Sequence, residues 1–163
     1  MMSKEAAIHL VFSMIFNQSC KSEVAFKAPS ELLKRLNWQT YDLHVLEARG
    51  GDFLHDAIAE KPCLHRYHVN MAKYVYKSTL IINERYDSDP RNIWKEKNDS
   101  KILKELTTLS GVGHHKAVQC LLYLNILGEI DEVSSEHFDY MNIKCAGFLE
   151  NIDNDLQGIR ALM

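Results

Sequence analysis

SKILKELTTLSGVGHHKAVQCLLYLNIL, residues 100–127, is the most informative stretch of the chain. Apolar residues recur at helical spacing on both sides of a break at residues 110–113, and Ser100 is the predicted N-cap of the first run. The pattern predicts a helix, a turn of about four residues and a second helix.

The break contains two glycines, Gly111 and Gly113. Glycine can adopt positive φ, and because it has no side chain its backbone amide can approach another molecule closely. The amides here precede a helix, where the first N–H groups lack helical partners and the dipole end is positive. Such a site suits a phosphate group. The alternative is a hairpin of two helices that uses glycine only to turn.

The remaining sequence predicts an all-α fold in a single domain, residues 1–163. Hydrophobic residues make up 46% of the chain and charged residues 25%, as in an ordinary globular protein, and only three prolines are present. We find no convincing strand, repeat or linker. Ser3 and Asp52 are predicted helix caps, and Pro29 is expected to separate two helices. Besides the central pair, the predicted helices cover residues 4–17, 22–27, 30–36, 40–48, 53–59, 66–86, 90–94, 135–142 and 154–162.

The net charge of −3 argues against a strong nucleic-acid binder, because affinity for a phosphate backbone comes from neutralising its charge. The charge is unevenly distributed, however. Residues 1–116 have a balance of +3 and residues 117–163 a balance of −6. The hairpin therefore lies in the basic portion, and we expect the acidic tail to face elsewhere.

The cysteines and the hydropathy pattern predict a reduced, cytoplasmic protein. The four cysteines are scattered without a CxxC pair, so we expect mostly buried thiols and neither zinc nor an iron–sulfur cluster. No apolar run reaches the roughly 18–20 residues of a membrane span. The N-terminal pattern contains Glu5 and His9, unlike a signal peptide. His65 and His68 suggest a metal-binding pair, but spacing identifies no third ligand.

The hairpin sequence resembles that of a known superfamily. Leu109-Ser110-Gly111-Val112-Gly113, followed by Lys116-Ala117, is similar to the LPGVGxKTA hairpin of the helix-hairpin-helix DNA glycosylases, the base-excision group that includes endonuclease III. The similarity continues in order from residue 8 to about residue 124. The chain is identified as a member of a small branch without an iron–sulfur cluster. The further matching segments are Phe16-Asn17-Gln18-Ser19, Ala28-Pro29-Ser30, Pro62-Cys63-Leu64-His65-Arg66 and Met71-Ala72-Lys73.

The resemblance implies that the fold is a compact multi-helix bundle. It also implies that the protein is a monomer and that its partner is double-stranded, damaged DNA. It implies that the amides of Gly111, Gly113 and His115 meet a phosphate at the Val112 turn, with Lys116 making a phosphate contact or a solvated salt bridge. It also implies that Gln18 fills the space left by a flipped base, although a helix-end residue satisfying backbone groups is the alternative. The backbone carbonyls that match a monovalent-cation site, for Na⁺ or K⁺, belong to Thr107, Leu109 and Val112.

The resemblance is weaker for catalysis. The nucleophilic lysine of strand-cleaving relatives corresponds here to His115, so a lyase step is not expected and the implied activity is a monofunctional DNA N-glycosylase. The position of the family's essential carboxylate falls on Val133. Asp131 is the nearest carboxylate and the candidate catalytic residue, with Asp139 a further candidate. An ordinary acidic loop is the alternative at both positions.

Three functions therefore remain open. The first is the N-glycosylase, and the second is a catalytically silent helix-hairpin-helix module that binds DNA or senses damage. The third is a protein-interaction domain that kept the scaffold, which the negative net charge supports. Trp94 is assigned to the core. The aromatic residues considered for base stacking, each of which could instead be core, are Trp38, Tyr41, Tyr67 and Tyr74.

Overall fold

The computed structural model describes residues 1–145 and 147–163, and within them it contains nine α-helices, one 3₁₀ turn and no strand. The predicted all-α class is therefore confirmed. The 3₁₀ turn, Pro90–Trp94, precedes the sixth helix. The helices are α1 (Lys4–Phe16), α2 (Ser22–Leu36), α3 (Leu43–Arg49), α4 (Gly51–Ala59), α5 (His68–Arg85), α6 (Asp99–Leu106), α7 (His114–Ile126), α8 (Ser135–Lys144) and α9 (Phe148–Leu162).

The first helix, α1, is the centre of the fold. Ser3 caps it as predicted, because its side-chain oxygen accepts the Ala6 amide at 3.0 Å. Every residue from Ala6 to Phe16 is buried, since α2, α5, α7 and α9 all pack against this helix. The sequence predicted one apolar stripe facing the core. Instead α1 is buried on all sides, and its polar residues His9 and Ser13 are buried with it.

The helix boundaries correct several predictions. Residues 22–36 form one helix, so Pro29 lies inside α2 rather than between two helices. Pro29 is buried, and its carbonyl accepts the Tyr41 hydroxyl at 2.6 Å. Tertiary packing therefore outweighs the hydrogen bond that proline removes from the helix interior.

Two of the predicted caps are each wrong by two positions, since Asn98 and Gly50 occupy the cap positions. Asn98, not Ser100, caps α6, and its side-chain oxygen accepts the Lys101 amide at 3.0 Å. Asp52 lies in the first turn of α4, after Gly51, rather than at the cap. Such errors are expected where neighbouring residues all have cap-forming side chains.

The acidic C-terminal segment divides between two places. α9 packs on α1 and α2, where Ser22 donates to the buried Asp155 carboxylate at 2.9 Å. α8 packs on α7, and its Tyr140 ring contacts the His114 ring edge-on at 5.6 Å between centroids. The expectation that the tail faces away from the hairpin is therefore wrong for α8.

The core supports the remaining expectations only in part. Trp94 is buried, as predicted. All four cysteines are free, but Cys63 is exposed, and only Cys120 is fully buried. Within the described residues, no helix has both the length and the apolar character that crossing a membrane requires.

Candidate nucleic-acid interface

The turn between α6 and α7, residues 107–113, packs against α5 and is hydrogen-bonded to it. The Ser78 hydroxyl donates to the Ser110 carbonyl at 2.9 Å. Gly111 has φ +83°, and a Cβ atom there would lie 2.8 Å from two ring carbons of Tyr74. The backbone conformation and the close packing therefore both require glycine at position 111.

Gly113 has no such structural requirement. Its φ is −87° and its ψ −175°, an extended conformation that other residues adopt readily. A Cβ atom at this position would meet nothing within 4 Å, and the residue is exposed. The two glycines therefore differ. Gly111 is needed by the fold, whereas Gly113 leaves open space in front of the start of α7.

The amides at this end of α7 are free of backbone partners. The first helical hydrogen bond runs from the Ala117 amide to the Gly113 carbonyl at 2.9 Å. Within residues 1–145 and 147–163, the amides of Gly111, Gly113, His114 and His115 have no backbone acceptor. The arrangement can accept an anion that approaches from solvent.

The three carbonyls matched to a cation site are also largely free. The Leu109 carbonyl accepts only a long contact from the Val112 amide, 3.4 Å. In the described part of the chain, the carbonyls of Thr107 and Val112 accept no backbone amide. As whole residues, Leu109 is 3% and Val112 6% exposed, so little of the backbone at either position faces solvent.

Lys116 makes internal contacts that the sequence did not predict, and its expected phosphate contact stays a prediction. Its ammonium group is half-buried and donates to the carbonyls of Ile15 and Gly111, at 3.1 Å each. Burial lowers the pKa of this lysine to about 8. The expected solvated salt bridge is therefore wrong: Lys116 ties the turn to the last turn of α1.

His65 and Arg66 hold the loop that follows α1, which includes Gln18. The Tyr67 amide donates to His65 Nδ1 at 3.0 Å, so the proton of a neutral ring lies on Nε2 and is donated to the Gln18 carbonyl at 2.9 Å. The Arg66 guanidinium donates to the Ser19 carbonyl at 2.7 Å. Burial is the main reason for the lowered pKa of His65. Because both ring nitrogens are engaged, His65 does not form the suggested metal pair with His68.

Of the four aromatic residues considered for base stacking, Tyr67 is the exposed one. Its residue surface is 42% accessible, and the Arg66 guanidinium lies 5.1 Å from the centre of its ring. Tyr41 is buried, and Tyr74 packs under Gly111. Gln18 itself is partly buried, and its side chain lies in the loop that His65 and Arg66 position.

His115 lies on the exposed start of α7 beside α8. Its ring is 6.1 Å from that of Tyr140. Partial burial lowers the pKa of His115, and the positive charge of Lys144 lowers it further. The imidazole is therefore mainly neutral at pH 7, and it can donate or accept a hydrogen bond rather than pair as a cation.

The structure separates Asp131 from this site. Asp131 follows the C-terminal end of α7, where its backbone carbonyl accepts a hydrogen bond from the side-chain Nδ2 of Asn125 at 3.4 Å. His115 is at the opposite end of the helix, about 16 Å away along the axis at 1.5 Å per residue. Asp131 is also exposed. Asp139 lies nearer, because it precedes Tyr140, whose ring contacts His115.

The sequence interpretation missed two cations on α5. Lys73 and Lys77 are the neighbours of Tyr74 and Ser78, which contact the turn, but the two lysines themselves line a cavity between α4 and α5. Both are exposed, and within the described residues neither lies within 4 Å of a carboxylate. The signal was available as a lysine pair four residues apart on the longest predicted helix.

Among the residues that the structure describes, no group of three or more His, Cys, Asp or Glu side chains converges to hold a metal ion. Comparisons with protein-family models, curated proteins and solved structures gave no match.

Proposed function

We propose that this protein binds double-stranded DNA through the turn between α6 and α7, in the manner implied by its resemblance to the helix-hairpin-helix DNA glycosylases. The observation that supports this proposal best is the contrast between the two glycines. Gly111 is required by the packing of the turn on Tyr74, whereas nothing in the fold requires glycine at position 113. Open space beside free amides is what an approaching phosphate needs.

The phosphate contacts of this proposal extend beyond the turn. The amides of Gly111, Gly113 and His115 bind one phosphate, and a Na⁺ or K⁺ ion on the neighbouring carbonyls adds positive charge beside it. Lys73 and Lys77 add exposed positive charge on the side of α5 that faces α4, where they line a cavity with Asp52, and they attract the phosphate backbone without being part of the turn. This local cluster of cations offsets the overall charge of −3.

In this proposal, the loop after α1 contacts the bases. Gln18 enters the duplex at a distorted site, and Tyr67 stacks on an exposed base, as an aromatic ring with an accessible face can do. The hydrogen bonds from His65 and Arg66 to the loop carbonyls fix the position of Gln18 before DNA arrives. Pre-organisation of this kind lowers the entropic cost of binding, and the smaller cost of unpairing a damaged site gives damaged DNA the advantage.

The position of Asp131 favours a catalytically silent, damage-sensing module over an N-glycosylase. Water activation requires a carboxylate within reach of the reacting bond, and Asp131 lies at the far end of α7. A monofunctional N-glycosylase remains the second candidate because Asp139 lies on α8 near His115. Asp139→Asn separates the two candidates: it abolishes base release by an enzyme and leaves the DNA affinity of a silent module unchanged.

The first experiment is a fluorescence-anisotropy titration at low and moderate salt. It compares a duplex containing an abasic-site analogue with the same duplex undamaged, so that the lesion need not be known. Gly113→Arg fills the open space with a bulky side chain, and we expect it to weaken binding at least tenfold while the folded state is retained. Gly158→Arg is the matched control. Gly158 is exposed on α9, and a Cβ atom there also meets nothing within 4 Å.

The outcomes separate the candidate functions. Preference for the abasic duplex, lost in Gly113→Arg but kept in Gly158→Arg, supports a glycosylase scaffold and justifies testing damaged bases for release. Equal, salt-sensitive binding to both duplexes supports a DNA module without damage recognition. If neither duplex binds at low salt, or if both arginine variants behave alike, the turn is not the DNA-binding site and a protein-interaction function takes its place.

A further inference from the structure

A pair of histidines that the proposed function does not use lies between α4 and α5, and one of the two, His55, lines the same cavity as Lys73 and Lys77. His55 Nε2 and His68 Nδ1 are 2.9 Å apart, and the two ring centres are 5.1 Å apart. The two residues come from different helices, and both are partly buried. A contact of this length requires one ring to donate a proton to the lone pair of the other. At least one of the two rings is therefore neutral.

One contact nitrogen carries the proton that the other accepts, so both become ligands only when that proton leaves the contact. The Asp56 carboxylate lies 3.9 Å from His55 Nδ1, on the far side of that ring from His68. This carboxylate is largely exposed and beyond hydrogen-bond distance, so it adds only a weak, solvent-screened attraction for a cation at the pair. His55 also lines a cavity of about 350 Å³, which provides room for solvent ligands.

We propose that His55 and His68 form a binding site for a divalent transition-metal ion that joins α4 to α5. Metal–nitrogen bonds of about 2.05 Å to two atoms 2.9 Å apart give an angle of about 90° at the metal. A tetrahedral ion needs the nitrogens roughly 3.3 Å apart. The unaltered separation therefore favours cis positions in a square-planar or octahedral complex, which Ni²⁺ and Cu²⁺ prefer. When the ion binds, the proton between the two nitrogens moves to the outer nitrogen of its own ring or is released to solvent. Small ring rotations then turn both lone pairs toward the ion, and water completes the coordination.

The charges around the pair are balanced. Asp52 lines the same cavity and Asp56 lies against His55, whereas Lys73 and Lys77 line the opposite wall. The electrostatic field of these four side chains therefore neither excludes nor strongly attracts a cation. The affinity for the metal ion depends mainly on the two imidazoles. With two protein ligands, we expect binding in the micromolar range rather than the tight binding of a closed four-ligand site.

The test is isothermal titration of the full chain, prepared without a histidine tag, with Ni²⁺ alone. The proposal requires saturable binding of one ion per chain. Each of the variants His55→Asn and His68→Asn is expected to weaken it by at least tenfold, because each removes half of the protein ligands. Either variant alone is sufficient if the other does not fold. A rise in melting temperature on adding Ni²⁺, seen only with both histidines present, is an independent readout.

Two controls exclude other binding groups. His137→Asn removes a histidine that lies 3.5 Å from Asp99 and that, within the described residues, pairs with no other ring. Cys63→Ser removes the exposed thiol, which also attracts Ni²⁺. Both controls should leave the affinity unchanged. The proposal is overturned if no saturable binding is seen up to millimolar Ni²⁺, or if either control abolishes binding while the His55 and His68 variants retain it. Because no DNA is present, the result is independent of the proposed function.

Discussion

Lowering the pH from about 7.5 to about 5 is expected to remove about 2 kcal/mol of stability through His9 alone. His9 is 3% exposed at the centre of α1, its ring lies edge-on to Tyr41, and within the described chain its Nε2 atom has no hydrogen-bond partner. Burial lowers the pKa of His9 from 6.5 to about 4. Below pH 6.5 the unfolded chain takes up a proton that the folded chain does not, so stability falls as the pH falls.

The full effect reaches about 3 kcal/mol below about pH 4, because each pKa unit corresponds to 1.36 kcal/mol. Glu5 opposes it in part. Burial raises the pKa of this carboxyl, which lies 4.0 Å from His9 Nε2, so the folded state takes up that proton first and gains stability as the pH falls. The effect of His9 must therefore be measured as a difference between two proteins.

The assay is urea unfolding, followed by far-ultraviolet circular dichroism, at a series of pH values between 7.5 and 5. The comparison variant is His9→Phe, which keeps a ring beside Tyr41 and cannot titrate. The substitution can change the free energy of unfolding at any one pH without affecting the test, because only the change of that free energy with pH is compared between the two proteins. The natural protein should lose about 2 kcal/mol more than the variant over this range. Parallel pH profiles for the two proteins would refute the assignment of a buried, neutral imidazole.

Three further predictions test the site. Gly111→Ala should lower the free energy of unfolding by about 2–4 kcal/mol, because alanine is strained at positive φ and its Cβ atom would clash with Tyr74. In the same urea assay, Gly113→Ala should change the free energy of unfolding by less than about 0.5 kcal/mol. As the pH rises from about 8 to 10.5, the natural protein should gain stability relative to the variant Lys116→Met, because the lysine loses its proton at a lower pH in the folded state than in the unfolded state. If the difference between the urea midpoints of the two proteins does not change with pH, the burial of Lys116 is contradicted. Tyr67→Ala should weaken binding to the abasic duplex about fivefold or more in the anisotropy titration, with an unchanged melting temperature, and equal affinity would remove Tyr67 from the interface.

Features set by local spacing could be predicted from the sequence. Ser3 caps α1 because its side chain reaches an amide three residues on, and the break at residues 110–113 ends one apolar period and begins another. The burial of α1 on every side was not predictable, because it depends on which helices surround it. Pro29 was misjudged for the same reason, since only the packed structure shows a buried proline within a continuous α2.

The roles of side chains at the site depended on contacts between distant parts of the chain. Lys116 has a flexible stem that can extend into solvent or fold back, and its partner Ile15 lies 101 positions away in the sequence. His65 is 47 positions from the carbonyl it contacts. Helical spacing restricts the direction in which such side chains leave the backbone. It does not indicate which backbone carbonyl lies there to receive them.

The basic side chains next to the α1 loop donate hydrogen bonds to the protein's own backbone. Lys116 donates to the last turn of α1, while His65 and Arg66 donate to the carbonyls of Gln18 and Ser19. Groups committed in this way position Gln18 but contribute few free charges for phosphate. The affinity for DNA must then come from the free amides before α7 and from lysines such as Lys73 and Lys77, which have no carboxylate partner within the described residues. Replacing these two lysines should therefore reduce the salt dependence of binding, whereas replacing Lys116 should act mainly through the position of the loop.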